Sequence, residues 1–373
     1  MDDAGRGLAG VLLVAEQLRR QVPGGIGTYV RGLLGGLTTL DEAHVELPSV
    51  TLYASRGPGG LDPLEAFGRP LITSRLTGPL LTRMWDRRLV HAPGGFDLVH
   101  SVSVAVPPVS RSSSARGSAE VVAIHDVAWR HRPEDYPNRG RRWHEAALGR
   151  ALRHATHFVV PSEAVAGDLL EAGAPERAIS VIPLGSDILR DRDEDGATAL
   201  LESLGVRDQF LLSVGTLEPR KNLPRLLDAY GVARRSLPER WPLVVVGPPG
   251  WGPELEHQEG VVFTGRVGDG TLASLYARAR LLVYVPFEEG FGLPPVEAMR
   301  FGTPVVASPL PTTSGAALEV DPTRVDEIAQ GLLQVATDDA LRARLAAAGS
   351  ERAGSLTWES AARAHVALWS SLL

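Results

Sequence analysis

The chain predicts an α/β protein built from two Rossmann-like parallel-sheet domains facing a central cleft. Three observations carry that expectation. Short apolar runs alternate with amphipathic segments through both halves, the pattern of a parallel sheet covered by helices on both faces. A length of 373 residues suits two domains of roughly 180 residues, each with its own core. Between the halves, Leu189 to Gly196 (LRDRDEDG) is charge-dense and apolar-poor and reads as an exposed linker. The expected domains are 1–188 and 207–357, followed by a last helix over 358–373.

Composition narrows the functions. With 44% hydrophobic and 22% charged residues, the chain is ordinary for a soluble globular protein. It has no cysteine, which excludes a disulfide framework and a thiolate metal site and is compatible with a reducing cytoplasm. The start, MDDAGRGLAGVLLVAEQ, is acidic, its apolar run is too short for a signal peptide, and no segment approaches a membrane-spanning length. The expected location is therefore the cytoplasm. A formal charge of −6 argues against nucleic acid as partner. Arg139 to His154 reads as a basic helix with an aromatic near its start. A solvated face is its ordinary reading, and peripheral contact with anionic lipid at the inner face of the membrane is the alternative. Of 38 basic residues, Lys221 is the single lysine, which draws attention to a compact point charge where arginine is the rule.

Taken in order, Gly10 to Ala15 reads as the first strand. Pro23-Gly-Gly-Ile-Gly-Thr-Tyr-Val30 follows as a glycine loop opening a helix to about Leu40, with Thr28 as its N-cap. A strand, glycine loop and helix in that order offer N–H groups to a diphosphate or a sugar, with Gly25 and Gly27 as the contacts; a plain glycine turn is the alternative. The string Gly5-Arg-Gly-Leu-Ala-Gly10 precedes the first strand, so it is not a dinucleotide fingerprint, and no P-loop string occurs. Strands are expected at 50–54 and 96–102 with a helix at 82–91 between them, then an aperiodic loop at 107–117. The strand 121–127 ends in His125-Asp126, at the carboxyl edge where α/β proteins place ligands. A neutral imidazole there suits a sugar hydroxyl, and Asp126 could orient it; a satisfied core histidine is the alternative. Then come the basic helix, a strand at 157–160, Ser162 capping a helix at 163–172, and a strand at 179–184. The Asp-x-Asp strings of the acidic run lack a strand to end, so no metal site is expected.

The second half repeats the pattern. A strand at 210–214 leads through Gly215-Thr-Leu-Glu-Pro-Arg-Lys-Asn222 to a helix at 223–234, placing Arg220 and Lys221 at the helix start. Two fixed cations there can stabilise a diphosphate leaving group. Further strands are expected at 243–247 and 261–267, the second with its turn, then a helix at 272–279. The central stretch is Leu281–Val285 as strand, a turn, Pro295–Phe301 as helix and Val305–Ala307 as strand. The Gly290-Phe291-Gly292-Leu293 backbone can aim N–H groups at an anion. Glu289 and Glu297 flank it and can accept hydrogen bonds from one ligand's hydroxyls. Amphipathic helices follow at 325–336 and 339–348.

The EGFGLPPVEAM string, with two glutamates separated by seven residues, resembles the nucleotide-sugar site of the retaining glycosyltransferases of the GT-B fold in glycosyltransferase family four. SVGTLEPRKN resembles that family's phosphate-binding segment, and VIPLGSD the exit from its first domain. The resemblance spans nearly the whole chain and is stronger in the second half; residues 308–322 depart from it, lacking the usual Leu-Pro-Glu segment. It implies a nucleoside diphosphate sugar as co-substrate, with no other cofactor and no metal, and a glycan or glycolipid hydroxyl as acceptor in cell-envelope or polysaccharide assembly. It places Glu297 on the ribose diol, Glu289 on the donor sugar, Arg220 and Lys221 on the diphosphate, and His125 beside the donor sugar. Asp126 orients that histidine or the acceptor, Arg266 and Val267 meet the base, Gly25 and Gly27 line the cleft, and the last helix packs back on the first domain. In this family retention is ascribed to front-side attack, the departing phosphate taking the acceptor proton. GDP-mannose is the expected donor, with UDP-glucose or a deoxysugar as alternatives. A glycoside hydrolase and a non-catalytic nucleotide-sugar binding protein are the rival functions.

Overall fold

A computed structural model of the chain describes residues 10–57, 59–109, 118–189, 191–207, 209–252, 255 and 258–373. The glycine string at 5–10 therefore falls outside the described residues except Gly10. So do positions 110–117 of the expected loop at 107–117 and position 190 of the acidic run.

All strands pair in parallel, in two sheets. The first contains β1 (Gly10–Val14), β2 (Ser49–Ala54), β3 (Leu71–Thr73), β4 (Leu98–Ser101), β5 (Ala119–Ala123), β6 (His157–Val160) and β7 (Ile179–Val181), in the order β3-β2-β1-β4-β5-β6-β7. The second contains β8 (Leu211–Val214), β9 (Leu243–Val246), β10 (Val261–Gly265), β11 (Leu281–Tyr284), β12 (Val305–Ala307) and β13 (Leu318–Glu319), in the order β10-β9-β8-β11-β12-β13. The helices are α1 (Gly24–Glu42), α2 (Gly78–Asp86), α3 (Ala128–His131), α4 (Asn138–His154), α5 (Glu163–Glu171), α6 (Glu194–Ser203), α7 (Leu223–Ala233), α8 (Asp269–Arg278), α9 (Leu293–Arg300), α10 (Val325–Thr337), α11 (Asp339–Gly354) and α12 (Trp358–Leu372). Two compact units result. One holds the described residues of Met1–Trp129, Tyr136–Gly185 and Trp358–Leu373; the other holds those of Arg130–Asp135 and Ser186–Thr357.

Strands such as Leu281–Tyr284 and Leu243–Val246 are buried along their whole length, which is why they read as continuous apolar runs rather than alternating ones. In each sheet the order runs outward in both directions from a central pair, β1 beside β4 and β8 beside β11. The connection reverses direction there, and in open α/β sheets that reversal leaves a crevice at the carboxyl ends of the two strands. In the second sheet the crevice is wide at its start. Strands β8 and β11 pair only through Leu211 with Leu281 and Leu212 with Leu282, so the residues that follow separate.

Several local expectations change. Thr28 is not an N-cap. Gly27 N donates to Pro23 O at 3.1 Å and closes the first turn four residues upstream, so α1 starts at Gly24, itself left-handed at φ 60°, and Thr28 lies inside the helix. The helix expected at 82–91 is α2, beginning at Gly78 with Pro79 in its first turn. The linker expected over 189–196 is shorter, because a helix begins at Glu194. The Asp193 carboxylate accepts from Gly196 N at 2.9 Å and caps α6, whose Ala197 and Leu201 are buried. Glu194 and Asp195 then sit at the positive end of the helix dipole. The short strands β3 and β13 have too few residues for a periodic signal. Ser162 does cap α5, accepting from Val165 N at 3.4 Å.

Within the first unit, α12 lies directly on α1. A Cβ on Gly32 would stand 2.0 Å from the Trp358 indole, and one on Gly36 2.2 Å from the Trp358 carbonyl oxygen, so only glycine allows this approach. A buried polar chain continues the contact. Trp369 Nε1 donates to His100 Nδ1 at 3.0 Å, which leaves the His100 proton on Nε2, facing Tyr29 OH at 3.1 Å. The Tyr29 hydroxyl then donates to His365 Nε2 at 2.8 Å, and His365 Nδ1 donates to Ala361 O at 2.7 Å. The partners thus assign one tautomer to each ring, and both rings are neutral. Burial lowers the pKa of His100 well below its usual value and that of His365 to about 4.

Because these two rings are neutral when folded and protonatable near pH 6.5 when unfolded, unfolding takes up protons between those limits. Their contribution should be complete above pH 6.5 and decline as pH falls toward 4, by about 1.4 kcal/mol per pH unit for each histidine. Urea unfolding at pH 7.5 and pH 5 measures this; equal stabilities at both would contradict the neutral assignment, and His365→Gln should show the shallower dependence.

Candidate active site

The loops after β8 and β11 meet at the crevice of the second unit. Residues Pro219–Lys221 form a single 3-10 turn ahead of α7, so Arg220 and Lys221 precede that helix rather than begin it. Asn222 links the turn to α7 in the left-handed region (φ 59°). Its buried side chain donates to Val285 O at 3.0 Å and Pro322 O at 2.7 Å. Phe287 N donates to Arg220 O at 2.8 Å. The separated strand ends are therefore tied together by one amide side chain and one backbone bond.

Glu289 is at the centre of this arrangement. Lys221 Nζ donates to its Oε2, as do Arg220 Nη1 at 3.2 Å and Tyr284 OH at 2.6 Å. Arg220 Nη1 also reaches Glu288 O at 3.3 Å, and its Nε donates to Glu218 Oε2 at 3.0 Å. Burial works to raise the Glu289 pKa, but Lys221 and Arg220 overcome it and hold the carboxyl at about 2. Burial dominates at Glu218, whose pKa is raised in spite of Arg220 and Lys221. Two cations and two carboxylates are thus packed in one partly buried cluster.

The loop beyond is set by Gly292, the N-cap of α9, at φ 98°. A side chain there would meet Thr312 Oγ1 at 2.7 Å, and that hydroxyl donates to the carbonyls of Phe291 and Gly292. Gly290, Phe291 and Gly292 are buried, and Leu293 is partly so. Glu297 lies in α9, buried, and accepts from Tyr276 OH at 3.0 Å. Arg266 is exposed and Val267 half-buried, just past β10 at the sheet's carboxyl edge. Next to Glu289, the Phe287 ring has the Arg132 guanidinium at 4.0 Å and that of Arg225 at 5.0 Å, and Glu288 Oε1 meets His131 Nδ1 at 3.0 Å. A cavity of 330 Å³ opens there between Asp135, Asn222, Arg225, Asp228 and Phe287.

In the first unit, the glycines at 24–27 are the start of α1, not a loop. Gly25 is exposed at that start, whereas Gly27 is buried against Pro23 and its N–H is taken by Pro23 O at 3.1 Å. Gly27 therefore serves packing, and its N–H is not open to a ligand. His125 donates from Nε2 to Val102 O at 3.0 Å and meets the Tyr29 ring edge-on at 4.8 Å. Burial lowers its pKa, so it is a neutral imidazole with Nδ1 left to accept. Asp126 Oδ1 accepts from the N–H of Ala128, the first residue of α3, at 3.2 Å. Sequence reasoning missed Tyr284, Asn222, Tyr276 and Glu218. A tyrosine closing the aliphatic run LLVY was the one visible sign among them.

Residues 23–190 match the family described as Glycosyltransferase Family 4, and residues 202–352 that described as Glycosyl transferases group 1. O-antigen chain mannosyltransferase B of Escherichia coli is 33% identical over 254 residues, covering 64% of this chain and 67% of that protein. The chain belongs to glycosyltransferase family four. Another family relative, the D-inositol 3-phosphate glycosyltransferase of Streptomyces scabiei, is 28% identical over 320 residues, covering 76% of this chain and 70% of the relative. Among solved structures, Anabaena Alr3699/HepE in complex with UDP and glucose superposes with a TM-score of 0.69 at 19% identity, over 97% of this chain and 100% of that one. That likeness is one of fold, and the fold of this glycosyltransferase is GT-B.

The tie across the crevice is testable by stability. Asn222→Ala loses two buried hydrogen bonds and adds left-handed strain, a cost of about 2–4 kcal/mol in urea unfolding. Asn222→Gly loses only the bonds and should be the more stable variant; the reverse order would remove the backbone role of Asn222.

Proposed function

We propose that this glycosyltransferase moves a hexose from a nucleoside diphosphate sugar to a hydroxyl of a cell-envelope glycan or glycolipid, keeping the anomeric configuration and needing no metal. The donor is GDP-mannose, a choice supported by the relatives named as mannosyltransferases. The observation that carries the reading is the convergence of Arg220, Lys221 and Glu289 at the crevice of the second sheet.

Each residue then has a task. Arg220 and Lys221 take the diphosphate, whose negative charge grows as the bond between the anomeric carbon and the phosphate oxygen breaks. Glu289 receives a donor-sugar hydroxyl and Glu297 the ribose diol. The backbone of Gly290 to Leu293 borders the phosphates, Arg266 and Val267 meet the base, and Gly25 lies at the start of α1 on the acceptor side. Neutral His125 accepts a sugar hydroxyl through Nδ1, next to Asp126. The acceptor oxygen bonds to the anomeric carbon on the face the phosphate leaves, and its proton passes to the departing phosphate oxygen. No enzymic nucleophile is required, so charge stabilisation is the principal catalytic contribution.

Lys221→Ala should lower kcat by roughly a hundredfold, as when one electrostatic stabiliser is removed; near-normal turnover would take the role from Lys221. Thermal-shift measurements with GDP-mannose, UDP-glucose and dTDP sugars, with EDTA present, should give the largest rise with GDP-mannose. A larger rise with another sugar would reassign the donor, and loss of activity in EDTA would end the metal-free reading.

A second observation favours a membrane-bound acceptor. Among the described residues no helix is long and apolar enough to cross a membrane, but α2 and α4 are joined through Asp86, which accepts from Trp143 Nε1 at 2.8 Å and from Arg150. The joined surface exposes Arg83, Arg87, Arg88, Arg139, Arg142 and Arg153, with Leu89 64% exposed among them. Such a surface suits anionic lipid at the inner face of a membrane. Sedimentation should recover the protein with phosphatidylglycerol vesicles at low salt and not with phosphatidylcholine vesicles; equal recovery with both would exclude this docking.

A further inference from the structure

The three donors on Glu289 all converge on a single oxygen. Lys221 Nζ, Arg220 Nη1 and Tyr284 OH meet Oε2, and among the described residues none donates to Oε1. An ionised carboxylate oxygen has two strong lone-pair directions, so Oε2 is saturated while Oε1 retains its full accepting capacity. Such asymmetry needs a rigid reference. Glu289 is on the loop after β11 and Lys221 on a 3-10 turn, whereas Tyr284 is the last residue of β11 itself, paired with Ala307 of β12 and almost wholly buried. Its hydroxyl accepts from Lys221 Nζ at 2.5 Å and donates to Glu289 at 2.6 Å. The Lys221 ammonium also lies 5.0 Å from the centre of its ring. A phenol has one donor and room for one such acceptor contact, and here it uses both on residues that are otherwise held by loops.

We propose that Tyr284 is a positioning residue of the active site: it joins the Glu289 carboxylate to the Lys221 ammonium on the frame of the sheet, and so presents Oε1 alone to a hydroxyl of the donor sugar. This rests on the reading of Glu289 as a contact of that sugar. The sugar hydroxyl adds its bond to Oε1 without displacing a partner, while Lys221 turns between Oε2 and the diphosphate with the tyrosyl oxygen as a fixed neighbour. Supports of this kind, on strands rather than loops, keep a site within the small tolerance that catalysis needs. The electrostatics agree in direction: the Tyr284 hydrogen bond is one of the interactions that lower the Glu289 pKa.

Because Lys221 is the single lysine of the chain, protein grown on 13C,15N-lysine reports one side chain without assignment. Tyr284→Phe keeps the ring and removes the hydroxyl. The expected result is a shifted Lys221 side-chain signal, a lower titration midpoint for its ammonium, and a fall of about tenfold in kcat/KM for the donor, the size of one lost hydrogen bond. If Tyr284→Phe does not fold, Glu289→Gln opens the same junction from the other side, and the lysine signal should move there too. An unmoved lysine signal, or a shifted signal with wild-type kcat/KM, would overturn the proposal. Wild-type protein that transfers sugar from none of the donors would instead sink the transferase reading, and the lysine signal would still decide whether Tyr284 holds the pair.

Discussion

The ion pair between Lys221 and Glu289 is the constraint around which the second unit is arranged. A partly buried carboxylate is tolerable only if its charge is answered, and here two cations and a phenol answer it. Removing one member of such a pair leaves an uncompensated charge, at a cost of about 3–5 kcal/mol, so the cluster keeps its members close even without substrate. Under the proposed function, an arriving diphosphate meets cations that are already gathered and oriented. On that proposal, reorganisation is limited to a change of partner for Lys221 and Arg220, in keeping with electrostatic preorganisation.

The fold supplies the place for that pair. Reversal of strand order at β8 and β11 opens the sheet's carboxyl edge, and the two-residue pairing between those strands lets the following loops diverge. Asn222 then bridges the gap with two hydrogen bonds that a main chain in regular secondary structure would have provided. Gly292 closes the far side, since its positive φ and the nearby Thr312 hydroxyl leave no room for a Cβ. Each of these departures from regular structure occurs at the crevice, where a ligand site needs backbone that the sheet alone does not offer.

Much of this was legible in the sequence, for physical reasons. Continuous apolar runs such as LLVY and LVVV announce central strands, and Glu289, Glu297, Arg220 and Lys221 stand in short local strings whose spacing survives folding. What depends on the meeting of distant segments was not legible. Tyr284 looks like one more core residue until β11 is set beside the turn carrying Lys221, and Asn222 looks like a continuation of the basic pair until Val285 and Pro322 arrive above it. Thr28 and Gly27 misled for a different reason: a threonine and two glycines favour a capped loop, but the Pro23 carbonyl takes the Gly27 N–H and closes the first helical turn upstream of Thr28. In the acidic run, composition suggested solvent exposure, while the cap at Asp193 and the dipole it serves called for a helix.

The seat of α12 on Gly32 and Gly36 has a consequence for how the protein is made. Residues 358–372 follow the whole second unit in the chain, yet they complete the packing of the first. During synthesis the α1 groove stays bare, and the imidazole of His100 short of its indole partner, until residues 358–372 have been made. The residues of the second unit up to Thr357 are made before the first unit's packing can be completed.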